Sequence, residues 1–409
     1  MQISIAVLGC GNRGRAYTSI IATQPENFTV TAIADTDPIQ LELMHNMYAI
    51  PQARDFTDIE EFMSEKRADT LIIATPDRTH VPLAIRAMEL GYDVLLEKPV
   101  SPDPVECRQI ADHAKEMGTK VVVCHVLRYT PFFSIIKEMI DSGKLGDVVS
   151  INHEEAVGNV HQSHSFVRGN WGNTARSAPM LLAKSCHDLD ILQWLIGKKC
   201  KQIQSFGSLK HFREENAPAG APQRCIDGCP HGETCPYNAV KLYLDDKENA
   251  WFREASTKES NPTDEMVEKA LRNTLYGCCV YRCDNDVVDR QVVNLEFEGG
   301  AVATFTMIGL SSDFCRQLKI FGTEGQIEAN MGTKQIVLHR FWEEKKTIPL
   351  DMGLEVSGHG GGDFGIMRDF LQVLRDGGVS KTSAEVSLQS HLICFAAERS
   401  RNEHTVITL

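Results

Sequence analysis

Short apolar runs alternate with helix-length stretches over the first 125 residues of the chain. The runs are rich in Val and Ile, and they lie at 3–8, 29–34, 70–74, 92–96 and 120–124. Stretches of helical length separate them, among others at 13–24, 81–90 and 104–116. Continuous apolar strands separated by helices are typical of a parallel sheet that is covered on both faces. The pattern therefore predicts an α/β domain over residues 1–125.

The pattern changes after about residue 125. Strand-length runs that alternate in polarity or stay apolar lie at 148–154, 204–208, 291–298, 301–308, 316–321, 326–330 and 335–338. Glu298-Gly299-Gly300 is a hairpin signal between two of them, so the sheet should be antiparallel. Amphipathic helices at about 181–196 and 364–376 would cover this sheet. We expect residues 126–409 to form an α+β domain with a Cys-rich insertion at about 209–288.

A glycine-rich hexapeptide, Gly9-Cys10-Gly11-Asn12-Arg13-Gly14, follows the first strand and opens a helix. Such glycines permit a tight turn and let the backbone approach a pyrophosphate at the positive helix N-terminus. Asp35 ends the second strand, 21 residues beyond Gly14, near the offset of a carboxylate that binds the adenosine ribose. No Arg follows Asp35 to receive a 2′-phosphate, so we expect NAD rather than NADP. The predicted cofactor contacts here are Gly9, Gly11, Asn12, Arg13, Gly14 and Asp35.

Two further loops follow strands of the same predicted sheet. Ala74-Thr75-Pro76-Asp77-Arg78-Thr79-His80 comes after the third run, and Glu97-Lys98-Pro99 comes after the fourth. In an open α/β sheet, ligands bind outside the carboxyl ends of the strands, so both loops should face the cofactor. The residues predicted to contact it from these loops are Thr75, Pro76, His80, Glu97 and Lys98.

Four motifs in this order carry a resemblance to a known family. The glycine-rich turn, ATPDRTH at 74–80, EKP at 97–99 and HDLDILQWLIG at 187–197 resemble the Gfo/Idh/MocA oxidoreductases, with weaker echoes in GTEG at 322–325 and HGGGD at 359–363. The resemblance implies a Rossmann domain followed by a domain with a large, mostly antiparallel sheet, which commonly serves as an oligomer interface. It also implies that Lys98 contacts the reacting hydroxyl and that His187 acts as acid/base.

The predicted helix at 181–196 carries further candidate chemistry. On one continuous helix, Lys184, His187 and Asp188 share a face, and we predict catalytic roles for all three and for Lys98. His187 would remove a hydroxyl proton while the positive charge of Lys98 stabilises the developing alkoxide. The chain has Ala183 where many members of the resembled family have Asp, so Asp188 or Asp190 could orient His187 instead.

Candidate substrate contacts flank this helix. Arg128 and Tyr129 follow the fifth strand, where the resembled family often contacts its substrate. Trp171 lies in a polar, aromatic loop just before the helix, together with His161, His164, Arg168, Asn170 and Asn173. A Trp among polar side chains suits a sugar, which has apolar ring faces and hydroxyl edges.

The chain has 13 Cys, several of them clustered in the insertion. In a reducing compartment, clustered Cys indicate metal ligands or reactive thiols rather than disulfides. Cys225, Cys229, Cys235 and Cys283 are the predicted ligands of a structural zinc, with Cys279 or His231 as substitutes. Free thiols in an irregular insertion are the alternative.

Charge and hydropathy narrow the set of partners. The formal charge of −13 argues against nucleic acids and anionic membranes, which attract basic surfaces. The N-terminus lacks the pattern of a secretory signal, and no apolar run approaches the ~20 residues that span a bilayer. We expect a cytoplasmic homodimer or homotetramer with a small-molecule sugar or glycoside substrate.

The sequence thus predicts an NAD-dependent oxidoreductase that transfers hydride from a secondary hydroxyl of a sugar, glycoside or cyclitol. The alternative is a redox-neutral glycosidase that retains NAD and cleaves through a 3-keto intermediate and elimination. A non-catalytic, NAD-responsive regulator would be expected to lack the lysine or the histidine, and both are present.

Overall fold

The computed structural model describes residues 2–48, 50, 53–350 and 359–409. Its N-terminal part contains a parallel sheet in the order β3-β2-β1-β4-β5-β6. The strands are β1 (Ile3–Leu8), β2 (Phe28–Ala34), β3 (Arg54–Phe56), β4 (Thr70–Ile73), β5 (Asp93–Leu96) and β6 (Val121–Val123). The central strands are buried on both faces, which is why they are apolar without alternation. The predicted Rossmann sheet is confirmed.

Helices cover both faces of this first sheet. They are α1 (Asn12–Ala22), α2 (Pro38–Tyr48), α3 (Ile59–Phe62), α4 (His80–Glu89) and α5 (Pro104–Met117). Two apolar cores result, one on each side of the sheet. The carboxyl ends of the strands thereby form one edge, and the loops that follow β1, β2, β4 and β5 meet there.

The C-terminal part contains a second sheet, with nine strands among the described residues, in the order β14-β13-β12-β11-β7-β10-β9-β8-β15. Only the pair β7–β10 is parallel there. The strands are β7 (Val148–Ala156), β8 (Cys200–Ser208), β9 (Arg290–Phe297), β10 (Val302–Ile308), β11 (Cys315–Gly322), β12 (Gly325–Asn330), β13 (Gln335–Arg340), β14 (Lys346–Ile348) and β15 (Ile407–Thr408). The predicted, mostly antiparallel sheet is confirmed, and the predicted homo-oligomer stays a prediction.

Helices pack on one face of the second sheet and connect it to the first domain. They are α6 (Pro131–Asp141), α7 (Asn159–Ser163), α8 (Met180–Ala183), α9 (Cys186–Ile196), α12 (Gly362–Asp376) and α13 (Ala384–Glu403). Although α12 is distant in sequence, its Ile366, Met367 and Phe370 complete one core of the first sheet. Helix α13 packs against both α5 and α9. No helix in the described ranges combines the length and the apolarity needed to cross a membrane.

The predicted helix at 181–196 is divided into α8 and α9. The break falls at Lys184 and Ser185, where the ψ angle of Ser185 is 6° and its hydroxyl donates to Glu155 Oε2 at 2.8 Å. Lys184 therefore precedes α9 instead of sharing a face with His187 and Asp188. The expectation of one face for all three residues was wrong, because the helix is interrupted at Lys184 and Ser185.

The insertion is more ordered than its sequence suggests. It contains α10 (Ala250–Thr257) and α11 (Asp264–Asn273), and it has two small apolar clusters of its own. The guanidinium of Arg168 is buried between them. Its Nε donates to the Cys278 carbonyl at 2.8 Å and its Nη2 to the Tyr237 carbonyl at 2.7 Å, so it joins segments that are distant in sequence.

The predicted zinc site is not supported by the described residues. Cys225, Cys229 and Cys235 line one small cavity together with both predicted substitutes, Cys279 and His231, whereas Cys283 does not line it. Within the part of the chain that the structure describes, no group of three or more His, Cys, Asp or Glu could hold a metal ion. Arg168 also lines this cavity, and its Nη2 donates to Cys225 Sγ at 3.7 Å.

We predict that Arg168→Met lowers the free energy of unfolding by about 2–6 kcal/mol. The substitution leaves two buried carbonyl groups without their donor, and each costs about 1–3 kcal/mol. Urea unfolding measures this effect, with Arg108→Met on the exposed side of α5 as the matched control. Equal unfolding free energies for the two variants would show that Arg168 does not brace the insertion.

Candidate active site

The glycine-rich turn lies where β1 passes into α1, and two of its glycines are required by close approach. A Cβ on Gly9 would lie 2.5 Å from the Ala74 carbonyl oxygen, and Gly9 has a φ of +94°. A Cβ on Gly14 would lie 2.0 Å from the carbonyl oxygen of Gly9. Gly11 has open space on its Cβ side, directly at the start of α1. The turn thus forms a cradle beside a helix N-terminus, and this geometry fits a pyrophosphate.

Asp35 lies at the end of β2 beside this cradle. Its Oδ2 accepts a hydrogen bond from the Cys10 amide at 2.8 Å, and its Oδ1 accepts one from the Asp37 amide at 2.9 Å. These two bonds fix the carboxylate against the turn while its remaining lone pairs stay available. The position fits a contact with the ribose hydroxyls of a dinucleotide.

Arg13 does not point into the cradle, although the sequence predicts a cofactor contact for it. Its guanidinium bonds both oxygens of Asp363, at 2.7 and 3.1 Å, and its Nε donates to Glu97 Oε1 at 2.6 Å. Arg13 therefore joins α1, the loop after β5 and the start of α12. Asn12, its neighbour, is exposed at the helix start and accepts a hydrogen bond from Arg15.

Glu97 is buried, and its carboxylate positions the backbone of the neighbouring Lys98. Burial alone would raise the pKa of this carboxyl, but the charges of Arg13 and Lys98 outweigh burial and lower the pKa. Tyr17 also donates to Glu97 Oε1, at 2.7 Å, and Glu97 Oε2 accepts from the Lys98 amide at 3.0 Å. Glu97 thus stays charged and holds the backbone of the loop in place, which is an indirect role rather than a cofactor contact.

His80 ties together the two loops at the strand ends. Its Nδ1 lies 2.8 Å from the Pro99 carbonyl oxygen, and its Nε2 lies 2.8 Å from the Thr75 carbonyl oxygen. Pro76 precedes a short 3₁₀ turn, and the hydroxyl of Thr75 accepts from that of Thr79 at 2.7 Å. Thr75 and Pro76 thus line the edge facing the cradle, whereas the ring of His80 is buried beneath them.

Lys98 reaches from the first domain to the second. Its Nζ donates to the carbonyl oxygen of Ala183 at 2.9 Å. This oxygen is available because α8 ends at Ala183 and the chain breaks helical geometry directly afterwards. The ammonium is thereby fixed beside the start of α9.

His187 lies in the first turn of α9, with only 3% of its surface exposed. Its ring centroid lies 5.9 Å from that of His125 and 5.8 Å from that of His359. Burial lowers its pKa well below the ordinary value, and the charge of Lys98 lowers it further. Neither ring nitrogen has a hydrogen-bond partner among the described residues. A neutral imidazole with free nitrogens beside an ammonium can accept a proton from a bound hydroxyl.

Asp188 does not orient His187. Its carboxylate accepts from Arg316 Nε at 2.7 Å and lies 2.7 Å from His153 Nε2, on the sheet side of α9. Although burial acts in the opposite direction, the charge of Arg316 and the contact with His153 lower its pKa. Asp190, the other candidate, forms a bidentate pair with Arg128. Both carboxylates are therefore engaged elsewhere.

Lys184 belongs to the same polar group as Asp188. Its Nζ lies 3.4 Å from Glu155 Oε1, and the Arg316 Nη2 donates to the same oxygen at 2.6 Å. Burial lowers the pKa of Lys184, partly offset by Glu155. We call Lys184, Glu155, Arg316 and Asp188 the charged cluster. Its two cations and two carboxylates balance, and Lys184 lies at its edge nearest to Lys98.

The three predicted substrate contacts differ in their surroundings. Arg128 is 4% exposed, and its guanidinium is committed to Asp190 and to the Lys381 carbonyl. The hydroxyl of Tyr129 is engaged with Asp369, Ser380 and Thr382. Both side chains are committed to contacts within the protein, and the turn that carries them packs against α12 and α9. Trp171, by contrast, is 41% exposed.

Sequence reasoning missed five residues of this site. His125 directly follows β6, so the rule that found Lys98 could also have found it. His359 and Asp363 lie in the HGGGD motif, and their side chains contact each other at 3.3 Å. Glu155 and Arg316 are paired only by the register of β7 and β11. That register cannot be predicted from the local sequence of either strand.

Comparisons with known proteins agree with this architecture. The family model described as "Oxidoreductase family, NAD-binding Rossmann fold" (Gfo/Idh/MocA) matches residues 3–125, and that of its C-terminal alpha/beta domain matches residues 137–409. YteT of Bacillus subtilis (strain 168), classed as an oxidoreductase, is 25% identical over 392 residues, which are 89% of this chain and 88% of that protein. An inositol 2-dehydrogenase of Corynebacterium glutamicum is 22% identical over 204 residues, 50% of this chain and 57% of that protein.

Solved structures share the fold over the whole chain. Levoglucosan dehydrogenase, in complex with NADH and levoglucosan, superposes with a TM-score of 0.76 at 17% identity, covering 100% of this chain and 99% of the other. An oxidoreductase from Agrobacterium radiobacter, in complex with NAD+, L-tartaric acid and magnesium, has a TM-score of 0.73 at 14% identity, with 100% and 98% covered. At these identities the likeness concerns the fold.

We predict that the protein loses stability as the pH falls below about 6.5. Burial lowers the pKa of several histidines, to about 4 for His391, about 3 for His125 and His164, and about 2 for His161. At a pH below the ordinary histidine pKa of about 6.5, these histidines bind protons in the unfolded chain but not in the folded chain. Each such histidine then removes up to about 1.4 kcal/mol per pH unit from the free energy of unfolding.

Urea unfolding between pH 7.5 and pH 5 measures this loss. His391→Gln should reduce the slope by about one proton, whereas His404→Gln, at an exposed position, should leave the slope unchanged. A free energy of unfolding that stays constant from pH 7.5 to pH 5 would contradict the burial of neutral histidines.

Proposed function

The chain belongs to the Gfo/Idh/MocA oxidoreductase family, and we propose that it is an NAD-dependent dehydrogenase acting on a secondary hydroxyl of a sugar, glycoside or cyclitol. The observation that carries this proposal is the convergence of two groups from different domains. The ammonium of Lys98 is held at the Ala183 carbonyl, and the neutral imidazole of His187 lies four residues further along the chain. Both adjoin the edge of the Rossmann sheet where a dinucleotide would bind.

The cradle fits NAD, which when bound supplies the acceptor for a hydride from the carbinol carbon. Gly9, Gly11 and Gly14 would let the pyrophosphate approach the start of α1, and Asp35 would bind the ribose hydroxyls. The carboxylate of Asp35 disfavours a 2′-phosphate by charge repulsion, which supports NAD over NADP.

His187 would take the hydroxyl proton of the substrate. A histidine kept neutral by burial has an unprotonated ring nitrogen at any pH near neutrality, which a proton acceptor requires. Lys98 would contact the same oxygen and stabilise the negative charge that develops as the proton leaves. The repulsion between Lys98 and a protonated His187 would then favour release of that proton.

The balanced charges of the charged cluster support an uncharged substrate. Lys184 and Arg316 are each paired with Glu155 or Asp188, so no net positive charge remains there for a sugar acid or a sugar phosphate. Hydroxyl groups can instead bond to the edges of these ion pairs. A neutral polyol suits such a surface.

The glycosidase alternative lacks specific support. The relatives named above are oxidoreductases and a dehydrogenase, and the carboxylates nearest to His187 in sequence are engaged in ion pairs. It stays a measurable alternative, because release of a phenol from an aryl glycoside without added NAD would reveal it.

A substrate panel with catalytic variants tests the proposal. We expect NADH formation with at least one monosaccharide, glycoside or cyclitol, and a loss in kcat of about 10²–10³ for Lys98→Ala and about 10²–10⁴ for His187→Ala. Affinity for NAD, measured by calorimetry, should change by less than about twofold in His187→Ala, because His187 is not among the predicted cofactor contacts.

Lys144→Ala and His404→Gln, both at exposed positions, are the matched controls and should keep full kcat. Phenol release over many turnovers without added NAD would favour the glycosidase instead. Unchanged kcat in both catalytic variants would refute the assignment of Lys98 and His187.

A second prediction concerns the choice of cofactor. Asp35→Asn keeps the size of the side chain but removes its charge, so the ratio of kcat/KM for NADP to that for NAD should rise at least about tenfold. Glu42→Gln, on the exposed side of α2, is the control. A ratio that does not change would mean that Asp35 does not face the adenosine ribose.

A further inference from the structure

Two exposed aromatic rings flank one histidine beside the charged cluster. Trp251 on α10 is 44% exposed, and Phe314, in the loop before β11, is 64% exposed. The ring of His161 on α7 lies between them, with its centroid 5.4 Å from Trp251 and 5.0 Å from Phe314. Both rings contact the same histidine, and a contiguous exposed apolar patch, unlike a single exposed side chain, marks a candidate binding surface. We call these three residues the aromatic site.

The aromatic site adjoins the reacting site through Lys184. The Nζ of Lys184 lies 5.5 Å from the ring centroid of Phe314. The residue directly before Lys184 is Ala183, whose carbonyl oxygen accepts the hydrogen bond from Lys98. Lys184 therefore lies between the ring of Phe314 and the ammonium of Lys98. A molecule whose hydroxyl reaches Lys98 and His187 would extend past Lys184 towards the aromatic rings.

His161 gives the aromatic site a polar centre. Its Nδ1 is buried and has no hydrogen-bond partner within the described ranges. Burial lowers the pKa of His161 to about 2, so its ring is neutral and offers a donor and an acceptor. Exposed rings around one unpartnered nitrogen suit a ligand that has both apolar faces and hydroxyl groups.

We propose that Trp251, Phe314 and His161 bind a second sugar ring, so that the preferred substrate is a disaccharide or a larger glycoside rather than a monosaccharide. This inference rests on the proposed dehydrogenase function and extends it. The C–H groups of a pyranose face pack against the negative faces of aromatic rings, and its hydroxyl groups reach polar atoms at the edge. The balanced charged cluster between the two sites favours an uncharged sugar over a nucleotide sugar or a sugar phosphate.

Contacts at both ends of α10 hold the insertion, and with it Trp251, in place. Helix α10 places Trp251 against His161 and His164 of the second domain. At its other end, the Lys258 carbonyl oxygen accepts a hydrogen bond from Gln40 Nε2, on α2 of the cofactor domain, at 3.2 Å. The insertion is thus fixed to both domains, and it presents Trp251 at a defined place.

The test compares each disaccharide with its own monosaccharide. Cellobiose and maltose are paired with glucose, and lactose and melibiose with galactose. In the wild type we expect kcat/KM for at least one disaccharide to exceed that for its monosaccharide at least about tenfold. Trp251→Ala and Phe314→Ala should each lower this ratio about 3- to 10-fold, and Trp251→Phe should restore most of it, because the stacking face is retained.

Trp342→Ala is the matched control, since Trp342 is fully exposed in the loop between β13 and β14. The inference is overturned if the wild type does not prefer any disaccharide, or if the ratio in Trp251→Ala and Phe314→Ala equals that in the control. Tryptophan fluorescence titration with the same disaccharides, without NAD, separates the two proposals. Saturable binding that Phe314→Ala weakens, in a protein that oxidises none of these sugars when NAD is added, would refute the dehydrogenase and keep the aromatic site.

Discussion

The hydrogen bond from the Lys98 ammonium to the Ala183 carbonyl is the contact on which the candidate active site depends. It crosses from one domain to the other, and it fixes a positive charge beside a buried histidine. Because that charge and burial act in the same direction, His187 is kept neutral. The same charge is placed where an alkoxide would develop. This one contact therefore helps to keep His187 neutral and also places the positive charge that would stabilise the alkoxide.

Buried ion pairs hold this contact in place from both sides. On the cofactor side, Arg13 binds Glu97 and Asp363, so the glycine-rich turn, the loop that carries Lys98 and α12 are joined at one guanidinium. On the substrate side, Arg128 binds Asp190 and fixes α9. Such pairs impose geometry more than they add stability, because desolvation offsets much of their attraction. They position the groups that would react.

The sequence predicts the fold well, because the fold follows local patterns. Apolar strands, the glycine-rich turn and the hairpin at Glu298-Gly299-Gly300 each depend on a few neighbouring residues, and all are present in the structure. Lys98 and His187 were identified from motifs, and their proximity is a finding of the structure. Their catalytic roles stay proposals.

Side-chain partners could not be predicted in the same way, because they come from distant parts of the chain. Arg13 lies beside a phosphate cradle in sequence, yet its partner Asp363 is 350 positions away. Lys184 was expected to share a helix face with His187, but the helix is interrupted at Ser185, whose hydroxyl bonds Glu155 on β7. The clustered Cys indicated a metal, but Arg168, from outside the insertion, lies beside Cys225. In each case the partner of a buried polar group comes from a distant segment of the chain. Tertiary packing brings the two together, and the spacing of residues in the sequence does not predict it.

The charge state of His187 beside Lys98 is the central claim, and nuclear magnetic resonance of the protein with isotope-labelled histidine measures it directly. With the His187 signal assigned by a His187→Gln variant, the account predicts a ring that stays neutral from pH 8 to pH 5.5. It also predicts a higher pKa for His187 in Lys98→Met, because the repelling charge is removed. A His187 that titrates near its ordinary pKa of about 6.5, equally in both proteins, would contradict the account.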